Sequence, residues 1–266
     1  AAAVVLAAAQ PVERVAAPAD TFGPREPVYG TRLAPRLATH APAWSADGRA
    51  IHFVDLFGML APGVSTMRVH AVDVATRAVR TLASLPVQNT GRFALRAAAD
   101  GRALYLATTP PLGVGPLRDA IYRVPLAPGA AAGDTLTRVV SDLAWPWFAV
   151  SPDARRFAHA WAGAGAGGVG AETFGVVEPA SDRRWPVHAG WGPPNGLFDF
   201  APDGGQLLYT RGGAFASGDS AGVWLFSARD GTARRLLPAP PAPAQQPVYA
   251  PTVRWVSGAP HLLAVE

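Results

Sequence analysis

Short apolar stretches with alternating side chains recur down this sequence, and each follows a polar corner of similar composition. Residues 49–55 (RAIHFVD), 102–108 (RALYLAT), 155–161 (RRFAHAW) and 206–211 (QLLYTR) combine that alternation with aromatic residues, which predicts strands rather than helices. The corners read Trp44-Ser45-Ala46-Asp47-Gly48-Arg49, Ala98-Ala99-Asp100-Gly101-Arg102, Val150-Ser151-Pro152-Asp153-Ala154-Arg155 and Phe200-Ala201-Pro202-Asp203-Gly204. Their aspartates lie 53, 53 and 50 residues apart, and a degraded fifth copy, Trp255-Val256-Ser257-Gly258, ends 55 residues after Asp203. Proline presets a corner position, aspartate accepts backbone hydrogen bonds, and glycine takes the left-handed conformation that such turns need. Ala154 replaces that glycine in the third copy, so its turn is either strained or of another type.

After each of these strands come a glycine- or proline-rich loop, a third strand, a short turn and a fourth strand. The sequence places the last two at 67–74 with 79–82, 120–126 with 136–140, 173–178 with 185–188, and 222–227 with 233–237. Four short antiparallel strands in each repeat form a β-propeller blade. The expected class is all-β, a propeller of four-stranded blades over residues 28–266, with 1–27 as a leader. About five blades are visible, four complete and one shared by the two ends. In that shared blade Val28 to Ala38 supplies outer strands and Thr252 to Val265 inner ones, so no sheet edge stays open. The alternative is a fragment of a larger ring of about six or seven blades, cut at Glu266. Trp44, Val150, Phe200 and Trp255 hold equivalent repeat positions, where packing between blades is the expected role.

The order apolar-Ser-Pro-Asp-Gly-Arg, strand, loop, a strand ending Val-x-Asp, then a basic-Leu strand resembles the repeat of TolB-type, WD40-like propellers across residues 28–266. The chain departs from it in places: only the third and fourth copies keep the proline, and the second reads Ala-Ala-Ala-Asp-Gly. The resemblance implies the propeller fold. For function it implies a non-catalytic, exported protein, monomeric and needing no cofactor, that binds a protein partner or an envelope component. The alternative it implies is the propeller portion of a larger hydrolase, such as a prolyl-oligopeptidase-type serine peptidase, gating substrate access.

Composition narrows the chemistry. Cysteine is absent, which removes disulfides, thiolate metal sites and cysteine catalysis. All 23 basic residues are arginine, and the net charge is only +4. The pairs Arg155-Arg156, Arg183-Arg184 and Arg234-Arg235 fall at turns and strand edges rather than in one stripe, so nucleic acid is not the expected partner. Residues 1–9 are alanine-rich and apolar, and Ala7-Ala8-Ala9 fits a small-x-small cleavage site. That run reads as the remnant of a secretory signal, pointing to a periplasmic or extracellular protein, or else as a disordered terminus or edge strand. No segment reaches the length of about 20 apolar residues that spans a bilayer.

Two motifs invite catalytic readings. Gly218-Asp219-Ser220-Ala221-Gly222 matches the serine nucleophile elbow, but a strand-like stretch follows where the elbow needs a helix. Gly163 to Gly168 matches Gly-x-Gly-x-x-Gly, again with no helix to present its amides to a pyrophosphate. The six histidines never fall at metal-ligand spacing, so neither a catalytic set nor a metal site is expected.

Binding is expected on one face. If the innermost strand of each blade runs into the Asp-Gly turn, the loops 57–66, 109–119, 162–172 and 212–221 gather on the opposite face together with the crossings between blades. His40, Asn89, Asp142, Trp145, Trp191 and Asn195 lie on those crossings. Polar and aromatic groups around a ring's mouth make a candidate binding surface, with ordinary loop roles as the alternative.

Overall fold

One turn is repeated four times with nearly identical hydrogen bonds. In the computed structural model, which describes residues 42–61, 64–88, 93–108, 119–126, 136–162, 172–189, 198–211, 221–238, 252–255 and 262–265, the N–H groups of Ser45, Ala98, Ser151 and Ala201 donate to carbonyls five residues on, at 2.8–2.9 Å. Those of Gly48, Gly101, Ala154 and Gly204 donate back to the first residue at 2.8–3.0 Å. Each aspartate then accepts, through Oδ1, the N–H two residues downstream, at 3.1 Å from Arg49, 2.9 Å from Arg102, 3.1 Å from Arg155 and 2.9 Å from Gly205. The fourth residue has φ of +70°, +69°, +57° and +69° in the four copies. Ala154 therefore adopts the same left-handed turn as its glycine counterparts, a conformation that costs an L-residue about 1–2 kcal/mol.

Each turn joins the first two strands of an antiparallel blade. Blade 1 is β1 (Ala43–Trp44), β2 (Ala50–Ala61), β3 (Val64–Asp73) and β4 (Val79–Gln88), paired in that order. Blade 2 begins with β5 (Phe93–Ala97), β6 (Ala103–Thr108) and β7 (Asp119–Pro125), and its fourth strand is the first half of β8 (Thr137–Val150). The second half of β8 opens blade 3, followed by β9 (Phe157–Ala162), β10 (Glu172–Glu178) and β11 (Arg183–Ala189). Blade 4 comprises β12 (Phe198–Phe200), β13 (Gln206–Arg211), β14 (Gly222–Ser227) and β15 (Ala233–Pro238). A final hairpin, β16 (Thr252–Trp255) with β17 (Leu262–Val265), supplies two strands of a further blade. Val28 to Ala38, expected to complete that blade, lies outside the described residues, as does the leader 1–27.

The core lies between blades. Met67, Val69, Leu85 and Val87 of blade 1 pack with Phe93, Leu95, Leu104 and Leu106 of blade 2. Tyr105, Ala107 and Ile121, on the other face of blade 2, pack with Phe148, Phe157 and Val177 of blade 3. Ala158, Phe174 and Val176 then meet Phe200, Leu207, Tyr209 and Phe226 of blade 4. A central blade is thus covered on both faces, which is why β6 (ALYLAT) is buried at all six positions.

Three expectations need correction. The first long loop, 57–66, is mostly strand: Phe57 pairs with Thr66, Met59 with Ser65 and Ala61 with Val64. Gly58 and the Pro62-Gly63 pair suggested a loop, but Gly58 falls at a register shift in the ladder and only residues 62 and 63 separate the strands. Trp44 is 57% exposed rather than packed between blades. Its neighbour Ala43 takes the side facing blade 2, and strand alternation turns Trp44 to the other side. The equivalent Phe200 and Val150 pack as expected. Finally, the crossing from blade 2 to blade 3 is strand β8 itself rather than a loop. Pro146 is tolerated there because β8 has no ladder partner on β9 between Leu143 and Phe148.

Candidate functional site

The β8 crossing is the best-described part of the expected binding face. Leu143 is the register partner of both Asp119, at the start of β7, and Trp161, near the end of β9. Those two positions border the connections 109–118 and 163–171, so the crossing emerges on the same side as the long connections. The tight Asp-Gly turns lie at the other ends of the same strands.

Asp142 takes a left-handed conformation with φ of +69°, which aspartate tolerates better than most residues. It sits where β8 leaves the ladder of blade 2. Three residues on, the Trp145 and Trp147 rings stack with centroids 5.5 Å apart and planes 11° from parallel. Both tryptophans are half-buried, so the pair offers a stacked apolar surface on the same crossing as Asp142. Tryptophan in such a setting gives large contact area at little conformational cost. Of the other expected site residues, His40, Asn89, Trp191 and Asn195 lie outside the described residues, as does Ser220 of the elbow-like motif. The strand β14 begins two residues after that serine.

The structure adds residues that the repeat pattern did not single out. His159 is 1% exposed on β9 and its Nδ1–H donates to the Ala160 carbonyl at 3.2 Å. Burial pushes its imidazole down to about 4, and nearby Arg184 acts in the same direction. Trp161, two residues on, meets the His159 ring edge-on at 5.4 Å and carries the Arg184 guanidinium 5.6 Å from its own ring centre. Apolar alternation alone marks these residues as core, and only the strand register brings them beside the crossing. No group of three or more metal-ligating side chains gathers among the described residues.

The sequence matches no family model and no curated protein. Similar solved structures include TolB from Acinetobacter baumannii, at 16% identity and a TM-score of 0.49, over 73% of this chain and 42% of that one. An oligogalacturonate lyase in complex with manganese is similar at 10% identity and a TM-score of 0.51, over 75% of this chain and 53% of the lyase. A puromycin hydrolase is similar at 20% identity and a TM-score of 0.47, over 80% of this chain and 31% of the hydrolase. The chain thus spans about half or less of each of these proteins. Successive four-stranded antiparallel blades, packed face to face and matched by the lyase structure, define a β-propeller. The fold is the β-propeller that the repeat implied.

Proposed function

We propose that this chain is a non-catalytic, exported propeller, periplasmic or extracellular, that binds a protein partner or an envelope component through its long-connection face. The observation that carries this reading is the asymmetry between the two ends of the blades. One end is closed by tight turns whose aspartates are occupied in holding their own backbone. The other carries the stacked, half-buried Trp145 and Trp147 on the same crossing as Asp142. Binding residues gather on connections held by a rigid scaffold, and buried aromatic anchors carry most of an interface's energy. The chemistry suits a polypeptide or glycan surface better than nucleic acid, since the charge is modest and spread over turns. No helix among the described residues is long and apolar enough to cross a membrane.

Photocrosslinking in the native host tests this directly. A crosslinker replacing Trp147 should capture a discrete adduct, and one replacing Asp100 on the tight-turn side should not. Adducts from position 100 alone would place the interface on the wrong face.

A further inference from the structure

Each seam between consecutive described blades holds one histidine facing the neighbouring blade. His52 on β2 is 2% exposed and shares a strand face with Val54, which packs toward blade 2. Its Nδ1 is buried with no hydrogen-bond partner. His159 shares a face with Phe157, which packs against Tyr105 and Ala107 of blade 2, and its Nε2 is likewise buried without a partner. His188 on β11 reaches across to blade 4, where Tyr209 Oη donates to its Nε2 at 2.6 Å.

These seams favour neutral imidazoles, because burial, with a nearby arginine in each, outweighs the opposing carboxylates Asp47 near His52 and Asp142 near His159. Around His52 stand Arg80 on β4, Asp47 in the first turn and the Ala43 carbonyl. Around His159 stand Arg184 on β11 and Asp142 on β8, with Asp119 of β7 in register with the same crossing. Around His188 stand Arg211 and the Tyr209 hydroxyl, both on β13. Every one of the three thus has an arginine in its surroundings. His70 lies elsewhere: it is buried on the opposite face of blade 1, between Thr81 Oγ1 at 3.2 Å and the Asp55 carboxylate at 3.6 Å.

We propose that the three seams form an acid-operated release, in which proton uptake by His52, His159 and His188 loosens the packing of blade on blade. The direction follows from linkage. Burial lowers all three imidazoles below their ordinary value of 6.5, His159 and His188 to about 4. The open state therefore binds more protons than the closed one between those limits. Closure is fully favoured above about pH 6.5 and weakens as pH falls toward about 4. The turn aspartates act in a separate range. Hydrogen bonds from Ser45 and the Arg49 N–H hold Asp47 below the usual carboxylate value of 3.8, those from Thr76 hold Asp73 there, and those from Thr232 hold Asp230 there. Their contribution is present above 3.8 and is lost only at lower pH.

The test is hydrogen exchange across the seams between pH 7.5 and 4.5, followed at the amides of β6, β9 and β13. Each participating imidazole makes the open-to-closed ratio rise by up to about tenfold per pH unit. The triple variant His52→Gln/His159→Leu/His188→Gln should flatten that dependence, and each single variant should remove about one proton from the slope. A wild-type slope unchanged in the variants would overturn the proposal. A second measurement needs no variant and uses the native chain: histidine side-chain NMR should show His159 and His188 neutral in the folded protein at pH 5, and His52 titrating below its ordinary value of 6.5. Any of them titrating near 6.5 in the folded state would equally overturn it.

Discussion

The Tyr209 hydroxyl lies 2.6 Å from His188 Nε2 and ties blade 4 to blade 3 through their side chains. Burial raises the tyrosine above its ordinary value and lowers the histidine to about 4, so the hydroxyl donates and the neutral imidazole accepts. Phe174, Phe198 and Trp224 surround the pair, with Trp224 edge-on to His188 at 5.3 Å. Tyr209→Phe leaves that nitrogen without its donor in an apolar seam. The expected loss is about 1–3 kcal/mol, read as a lower urea midpoint with an unchanged slope. Wild-type stability in that variant would show that the bond does not hold the seam.

Gly175 is fixed by space rather than by turn geometry. A Cβ there would lie 2.2 Å from the Trp185 carbonyl oxygen and 2.6 Å from Trp161 Cη2. The bulge between Phe174 and Gly175 brings the β11 backbone that close. Gly175→Ala should therefore cost about 3 kcal/mol, at the upper end for over-packing, since backbone cannot yield as a side-chain tip would. A melting temperature within a degree or two of wild type would contradict this.

Ala154 offers the opposite case. Its φ of +57° is the left-handed value that the other three copies give to glycine. Ala154→Gly should stabilise the fold by about 0.5–1 kcal/mol, the relief of strain exceeding glycine's extra freedom in the unfolded chain. Thermal unfolding of the two proteins side by side checks the sign, and a lower melting temperature for the glycine variant would refute it.

The fold was legible because its turns are written locally. Asp47, Asp100, Asp153 and Asp203 make the same backbone bond in every copy, so their spacing locates the start of the second strand of each blade within about two residues. What needed register was not legible. Pro146 suggests a break, yet β8 runs through it because the ladder is interrupted there anyway. The strand ladder beyond Phe57 was hidden by Gly58 and the Pro62-Gly63 tip. Asp142 and Trp145 were singled out only from their place between repeats. His159 and His188 look like ordinary strand residues until blades are packed face to face.

The binding face is tested most directly by comparing affinities of the crosslinked partner for two folded variants, one from each end of the blades. Trp147→Ala should weaken binding by at least about tenfold, as truncating an aromatic anchor does. Asp100→Ser, at the tight turn, should bind as wild type does. Unchanged affinity for Trp147→Ala, with loss for Asp100→Ser, would contradict the account.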